Sequence, residues 1–173
     1  MRYAQIRKMD ISNGEGVGVA LFTQGCHRHC RNCHNPEQWS FDGGEEFTFK
    51  TQQQIIDLLK PSHISRLSIL GGEPLERCNL YRLSCLLSAV RYYRPQVKIW
   101  LYTGWTYEEL QKQEQEDRVT GYLTSILDNI DYLVDGPFIE EEKDITLEFR
   151  GSSNQRILNM KSIRRFGKLL TSE

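Results

Sequence analysis

Three cysteines within eight residues are the part of this chain best equipped for chemistry. Cys26-His27-Arg28-His29-Cys30-Arg31-Asn32-Cys33 reads as Cys-x3-Cys-x2-Cys and comes after an apolar run that ends at Gly25. Thiolates suit soft, electron-rich metal centres, and cysteine is the usual ligand of iron–sulfur iron. A 4Fe–4S cubane held by Cys26, Cys30 and Cys33 keeps one iron open. A pure electron carrier wants four ligands; an open iron points to chemistry there, by the logic that gives catalytic zinc its free position. The alternative is zinc, with His27, His29 or His34 as a fourth ligand. Structural zinc sites usually pair two separated knuckles, and this chain has one cysteine cluster.

A second stretch, Gly71-Gly72-Glu73-Pro74, comes after an apolar segment one βα unit downstream. Two glycines after a strand let backbone come close to a ligand, and Glu73 sets a carboxylate beside that backbone. The bland alternative is a tight turn leading into the next helix. Gly14, Gly16 and Gly18 invite a dinucleotide-loop reading, but that fingerprint lies between a strand and a helix, and these glycines precede the strand. They read as a turn.

The elements that must position these residues alternate. Residues 1–16 are a polar lead-in. Val17 to Phe22 is a buried strand that delivers Cys26 at its C-terminal end. A helix with Ile55, Ile56, Leu58 and Leu59 ends near Pro61. Arg66 to Leu70 is a strand running into Gly71. Leu80, Leu83, Leu87 and Val90 form the apolar stripe of a helix that ends before Pro95. Val97 to Tyr102 is a third strand, residues 107–118 a polar helix, and Leu123, Ile126, Leu127 and Ile130 the stripe of another. Tyr132 to Val134 is a fourth strand, and the chain beyond it is less regular. Strands alternating with helices predict βαβ units, right-handed crossovers and a mainly parallel sheet. About five strands cannot close the eight-stranded barrel of such units, so an open partial (β/α) barrel with its site at the strands' C-terminal edge is expected. Thr103 and Asp135 come directly after strands and face either that site or a strand-terminating turn. Cys78 and Cys85 are too few for a second cluster and read as small buried apolar residues; Glu140-Glu141-Glu142 reads as a solvated face.

The chain has 173 residues, 39% hydrophobic and 26% charged, with a formal net charge of −1. That fits a single soluble domain, 1–173, with a core of about 14–156 and a C-terminal tail of 157–173. Near-neutral charge lacks the footprint of a nucleic-acid binder, so no nucleic-acid partner is expected. No apolar run approaches the roughly 20 residues of a membrane span, and the N-terminus lacks a signal-peptide core. Five cysteines, three of them clustered, do not read as a disulfide framework. A cytoplasmic location is expected, in keeping with thiolates that need a reducing compartment.

Cys-x3-Cys-x2-Cys with a downstream Gly-Gly-Glu resembles the radical S-adenosylmethionine superfamily, whose fold is an open partial barrel. The resemblance implies a 4Fe–4S cluster on Cys26, Cys30 and Cys33, with S-adenosylmethionine bound at the open iron and cleaved to a 5′-deoxyadenosyl radical. It implies that Gly71, Gly72 and Glu73 contact the ammonium end of S-adenosylmethionine. Asn32, Cys33 and His34 lie where superfamily members approach the adenine, although Asn32 is not the aromatic residue often found there. Asn13-Gly14-Glu15-Gly16 departs from the Asn-Gly-Pro-Gly common in glycyl-radical activases, and Gly18 stands near an expected arginine.

The chain has little beyond the core of such a fold, so its site suits a substrate that brings its own walls, such as a protein loop. Cys33-His34-Asn35-Pro36-Glu37, Asp135-Gly136-Pro137-Phe138 and Arg150-Gly151-Ser152-Ser153-Asn154-Gln155 resemble the activating proteins of anaerobic ribonucleoside-triphosphate reductase. This implies a partner reductase whose glycine loop is the substrate and reduced flavodoxin or a similar electron donor. An activase for another glycyl radical enzyme, or a small radical enzyme acting on peptides, is the second reading. A non-catalytic iron–sulfur or zinc binding module is the third.

Overall fold

A computed structural model describes residues 1–116 and 120–166. Among these residues seven strands form one open sheet: β1 (Arg2–Asp10), β2 (Gly18–Thr23), β3 (Glu45–Glu46), β4 (Arg66–Gly71), β5 (Lys98–Tyr102), β6 (Tyr132–Asp135) and β7 (Arg156–Asn159). Their order is β3-β1-β2-β4-β5-β6-β7. The middle four, β2, β4, β5 and β6, are parallel; β1, β3 and β7 add antiparallel edges. The protein is mixed α/β, parallel in the middle and not closed.

Among the described residues five helices serve the crossovers and the C-terminus: α1 (Phe49–Leu58), α2 (Arg77–Tyr93), α3 (Tyr107–Glu116), α4 (Tyr122–Asn129) and α5 (Met160–Phe166). Strand alternation decides what they cover. Val19 and Leu21, Leu67 and Ile69, Ile99 and Leu101, Leu133 and Leu158 are fully buried and join one core with residues of all five helices. The stripe Leu80, Leu83, Leu87 and Val90 on α2 lies in that core, as its spacing predicts. Residues of the opposite sheet face, Phe22, Leu70 and Tyr102, line a cavity instead. α1 starts where Thr48 caps it: the Thr51 amide donates to the Thr48 hydroxyl and the Thr48 amide to the Thr51 hydroxyl, both at 3.2 Å.

The sheet extends past both ends of the expected 14–156 core. The polar lead-in contains β1, paired with β2 from Tyr3↔Thr23 to Asp10↔Gly18. Only Tyr3 and Asp10 of β1 are buried, so the strand is held by its ladder and leaves no apolar alternation to read. At the other end β7 and α5 form where an irregular tail is expected, with Leu158, Met160 and Ile163 buried. The remainder of that tail, and the last two residues of the 107–118 helix, lie outside the described residues.

Candidate active site

Register brings the two chemistry-bearing segments together. In the β2–β4 pair Thr23 lies opposite Gly71, so both strands end at the same level. The cysteine loop leaves β2 just where Gly71-Gly72-Glu73 leaves β4, and backbone hydrogen bonds join them. The Gly72 amide donates to the Thr23 carbonyl at 2.9 Å and the Glu73 amide to the Gly25 carbonyl at 2.8 Å. On the other side of the loop the Gly25 amide donates to the Gln38 carbonyl and the Cys26 amide to the Trp39 carbonyl. A methyl group at Gly72 would meet the Gly25 carbonyl oxygen at 2.5 Å and the Gln38 carbonyl oxygen at 2.9 Å. The chain's own backbone therefore uses the room that this glycine provides.

Cys26 is buried; Cys30 and Cys33 are half-buried. Burial pushes the Cys26 thiol up, while the backbone amides of Arg28 and His29 pull it back toward the thiolate. His29 and Asn32 both adopt left-handed backbone, which bends the loop around the cysteines. The Asn35 amide donates to Cys33 Sγ at 3.4 Å. His27 is exposed, with its ring on Phe41 and beside Glu76 at 3.1 Å; exposed His29 stacks on Trp39.

Glu73 is 1% exposed. Its Oε1 accepts from the Leu75 amide at 2.9 Å and the Thr103 hydroxyl at 2.8 Å, and its Oε2 from the Gly104 amide at 2.8 Å. Burial raises its pKa most strongly; those three donors and the charge of Arg28 oppose the rise. The carboxylate thus ties the end of β4 to the end of β5.

All these segments face one cavity of about 480 Å³, within the ~300–1,000 Å³ typical of small-ligand sites. Cys26, Cys30, Cys33, His34, Gly71, Gly72, Glu73 and Thr103 line it; Asn32, exposed, does not. Asp135 does not line it either. It is fully buried, paired with Arg156 and accepting from the Tyr107 amide at 2.8 Å. Of the segment after it, Gly136 and Phe138 do reach the cavity. Arg150, Gly151 and Gln155 complete that wall, with the Gln155 side chain accepting from the Gly151 and Ser152 amides. Cys78, expected buried, is exposed in the first turn of α2, and Cys85 is half-buried. Of the expected solvated face Glu140-Glu141-Glu142, Glu141 and Glu142 are exposed, while Glu140 is half-buried and paired with Lys143.

Sequence reasoning passed over Arg7, Arg28, Trp39, Tyr102 and Phe149, which also line the cavity. A signal existed for Tyr102: alternation in β5 sets it opposite the core residue Leu101. None existed for Arg7, which arrives on a polar strand outside the parallel centre of the sheet.

Among the described residues no group of three or more His, Cys, Asp or Glu side chains is gathered to hold a single metal ion. Cys26, Cys30 and Cys33 all line the one cavity. Residues 12–158 match a sequence family described as "4Fe-4S single cluster domain". Named relatives span almost the whole chain. The anaerobic ribonucleoside-triphosphate reductase-activating protein of Haemophilus influenzae is 39% identical over 163 residues, 93% of this chain and 99% of that protein. Those of Vibrio cholerae and Escherichia coli are 39% and 34% identical, covering 91% and 93% of this chain and 97% and 100% of their own lengths. The chain belongs to the family of anaerobic ribonucleoside-triphosphate reductase-activating proteins.

Proposed function

We propose that this protein activates an anaerobic ribonucleoside-triphosphate reductase as a radical S-adenosylmethionine enzyme. The observation that carries the reading is the convergence of Cys26, Cys30 and Cys33 with the Gly71–Glu73 strand end on one cavity at the C-terminal edge of the parallel strands. The open sheet suits a partial (β/α) barrel and leaves that edge accessible. Cys26, Cys30 and Cys33 would hold a 4Fe–4S cluster, and Gly71, Gly72, Glu73 and His34 would contact S-adenosylmethionine. When bound, the two cofactors would supply one-electron radical chemistry, directed at a glycine Cα hydrogen of the reductase.

The chain's own residues orient the site. Glu73, clasped by Thr103, Gly104 and Leu75, fixes the ends of β4 and β5 relative to the cysteine loop. Phe22, Leu70, Phe138 and Phe149 give the cavity apolar walls beside its polar lining. The wall from Gly136 to Gln155 is cross-braced: Asn154 Nδ2 donates to the Pro137 carbonyl and Gln155 Nε2 to the Gly136 carbonyl. Hydrogen transfer needs near-contact, so the partner's glycine loop must enter this cavity. Reduced flavodoxin or a similar carrier is the electron donor we assign, and the cytoplasm, where thiols stay reduced, the place of action.

The test is anaerobic reconstitution with iron and sulfide, reduction, addition of S-adenosylmethionine and chromatography of 5′-deoxyadenosine, beside Cys30→Ala. Product from the wild type alone, and a glycyl radical signal when reductase is added, are expected. Product from Cys30→Ala, or none from cluster-loaded wild type even with reductase, would overturn the reading.

A further inference from the structure

The cysteine loop carries a cation into the cavity. Arg28, between Cys26 and Cys30, lines the same space. Its stem lies against Gly104, where a built methyl group would come within 2.2 Å of its Cδ, and its guanidinium sits 4.7 Å from the Trp105 ring centre. Among the described residues that guanidinium has no hydrogen-bond acceptor and no ion-pair partner. Glu73 feels its charge, but the hydrogen bonds of that carboxylate come from Leu75, Thr103 and Gly104.

Arg7 and Arg150 line the cavity too, and neither has an ion-pair partner among the described residues. Arg7 lies over the Phe22 ring at 4.5 Å. Arg150 donates from one Nη to the Gln155 carbonyl, while its buried Nε has no partner. Three arginines, of which Arg7 is exposed and Arg28 and Arg150 are half-buried, line the cavity with one carboxylate, an excess of positive charge that favours an anion there. Three thiolates on a 4Fe–4S core leave that unit anionic, and more so once reduced.

We propose that Arg28 is the counter-cation of the iron–sulfur cluster, a positioning residue that raises the cluster's reduction potential; this rests on the cluster reading above. Cluster potentials depend on the net charge around them. A nearby cation stabilises the reduced, more negative state more than the oxidised one. The contact with the Trp105 ring and the packing of its stem against Gly104 place the charge at the end of β5.

The test compares wild type, Arg28→Gln and Arg28→Lys, each reconstituted anaerobically. Iron and sulfide are counted, and midpoint potentials are taken by optical and electron paramagnetic resonance redox titration without S-adenosylmethionine. At a fixed potential Arg28→Gln is expected to show a reduced-to-oxidised ratio about tenfold lower, a midpoint ~59 mV more negative for one electron. Arg28→Lys, which keeps the charge, is expected to stay close to wild type. Wild-type behaviour of Arg28→Gln, or equal shifts in both variants, would overturn the proposal. So would loss of the cluster from both while wild type keeps it, which would make Arg28 structural. Weaker S-adenosylmethionine binding by Arg28→Gln at an unchanged potential would reassign the cation to a ligand carboxylate and overturn it as well. A wild type that takes up no cluster would instead sink the cluster reading itself.

Discussion

Gly72→Ala tests whether the site is built by close backbone approach. Gly72 has no left-handed φ, so an alanine there meets no conformational penalty of its own. It meets backbone: the new methyl would lie 2.5 Å from the Gly25 oxygen, 2.9 Å from the Gln38 oxygen and 3.0 Å from the Gly25 carbonyl carbon. None is the flexible end of a side chain, so β4 and the cysteine loop must part. Overpacking costs ~1–3 kcal/mol, and weakening the Glu73–Gly25 hydrogen bond adds about 1 kcal/mol. A loss of about 2–4 kcal/mol is expected. With a urea slope of ~2 kcal/mol/M, the unfolding midpoint of cluster-free protein should fall by about 1–2 M. Gly121→Ala is the control: its φ is +64°, but among the described residues nothing lies within 4 Å of an added methyl. It should cost only the left-handed strain of ~1–2 kcal/mol and leave iron uptake unchanged, whereas Gly72→Ala should lower iron retention. A Gly72→Ala protein within about 0.5 kcal/mol of wild type, a loss within the usual range for neutral surface changes, would refute the reasoning.

Arg66 is fully buried, paired with Asp10 at 3.0 Å and donating to the carbonyls of Asp10, Asn13, Glu15 and Gly16. Arg66→Met should cost about 3–5 kcal/mol by stranding Asp10, read by urea unfolding; a loss below about 1 kcal/mol would contradict an ion pair of this kind. The raised pKa of Glu73 means that the native state holds its proton more tightly than the unfolded chain. That contribution is fully present below the ordinary value of 4.5 and is lost as pH rises through the raised one. Wild type should therefore lose stability relative to Glu73→Gln across that window in urea titrations at a series of pH values, and parallel curves would contradict the burial argument.

The functional family was legible in a few short segments because its chemistry is local. Three thiolates at this spacing act from one loop, so Cys26, Cys30 and Cys33 announce a cluster before any fold is known. The core was legible because strand and helix periodicities leave marks: the α2 stripe and the buried run in β2 are one-dimensional signals. β1 and β7 left none. They are short or polar, and what makes them strands is the ladder offered by β2 and β6. Nor could the sequence assign roles to residues whose partners are distant. Asp135 and Thr103 both come directly after strands, but Asp135 is consumed by Arg156, 21 residues away, while Thr103 reaches Glu73, 30 residues away, and lines the cavity. Glycine composition alone cannot tell whether room is left for a ligand or for backbone; Gly72 proves to face Gly25. Residue types thus determined which metal chemistry the chain is equipped for. Register and long-range hydrogen bonds, which depend on three-dimensional closure, decided which groups meet around the cysteines and that arginines share their cavity.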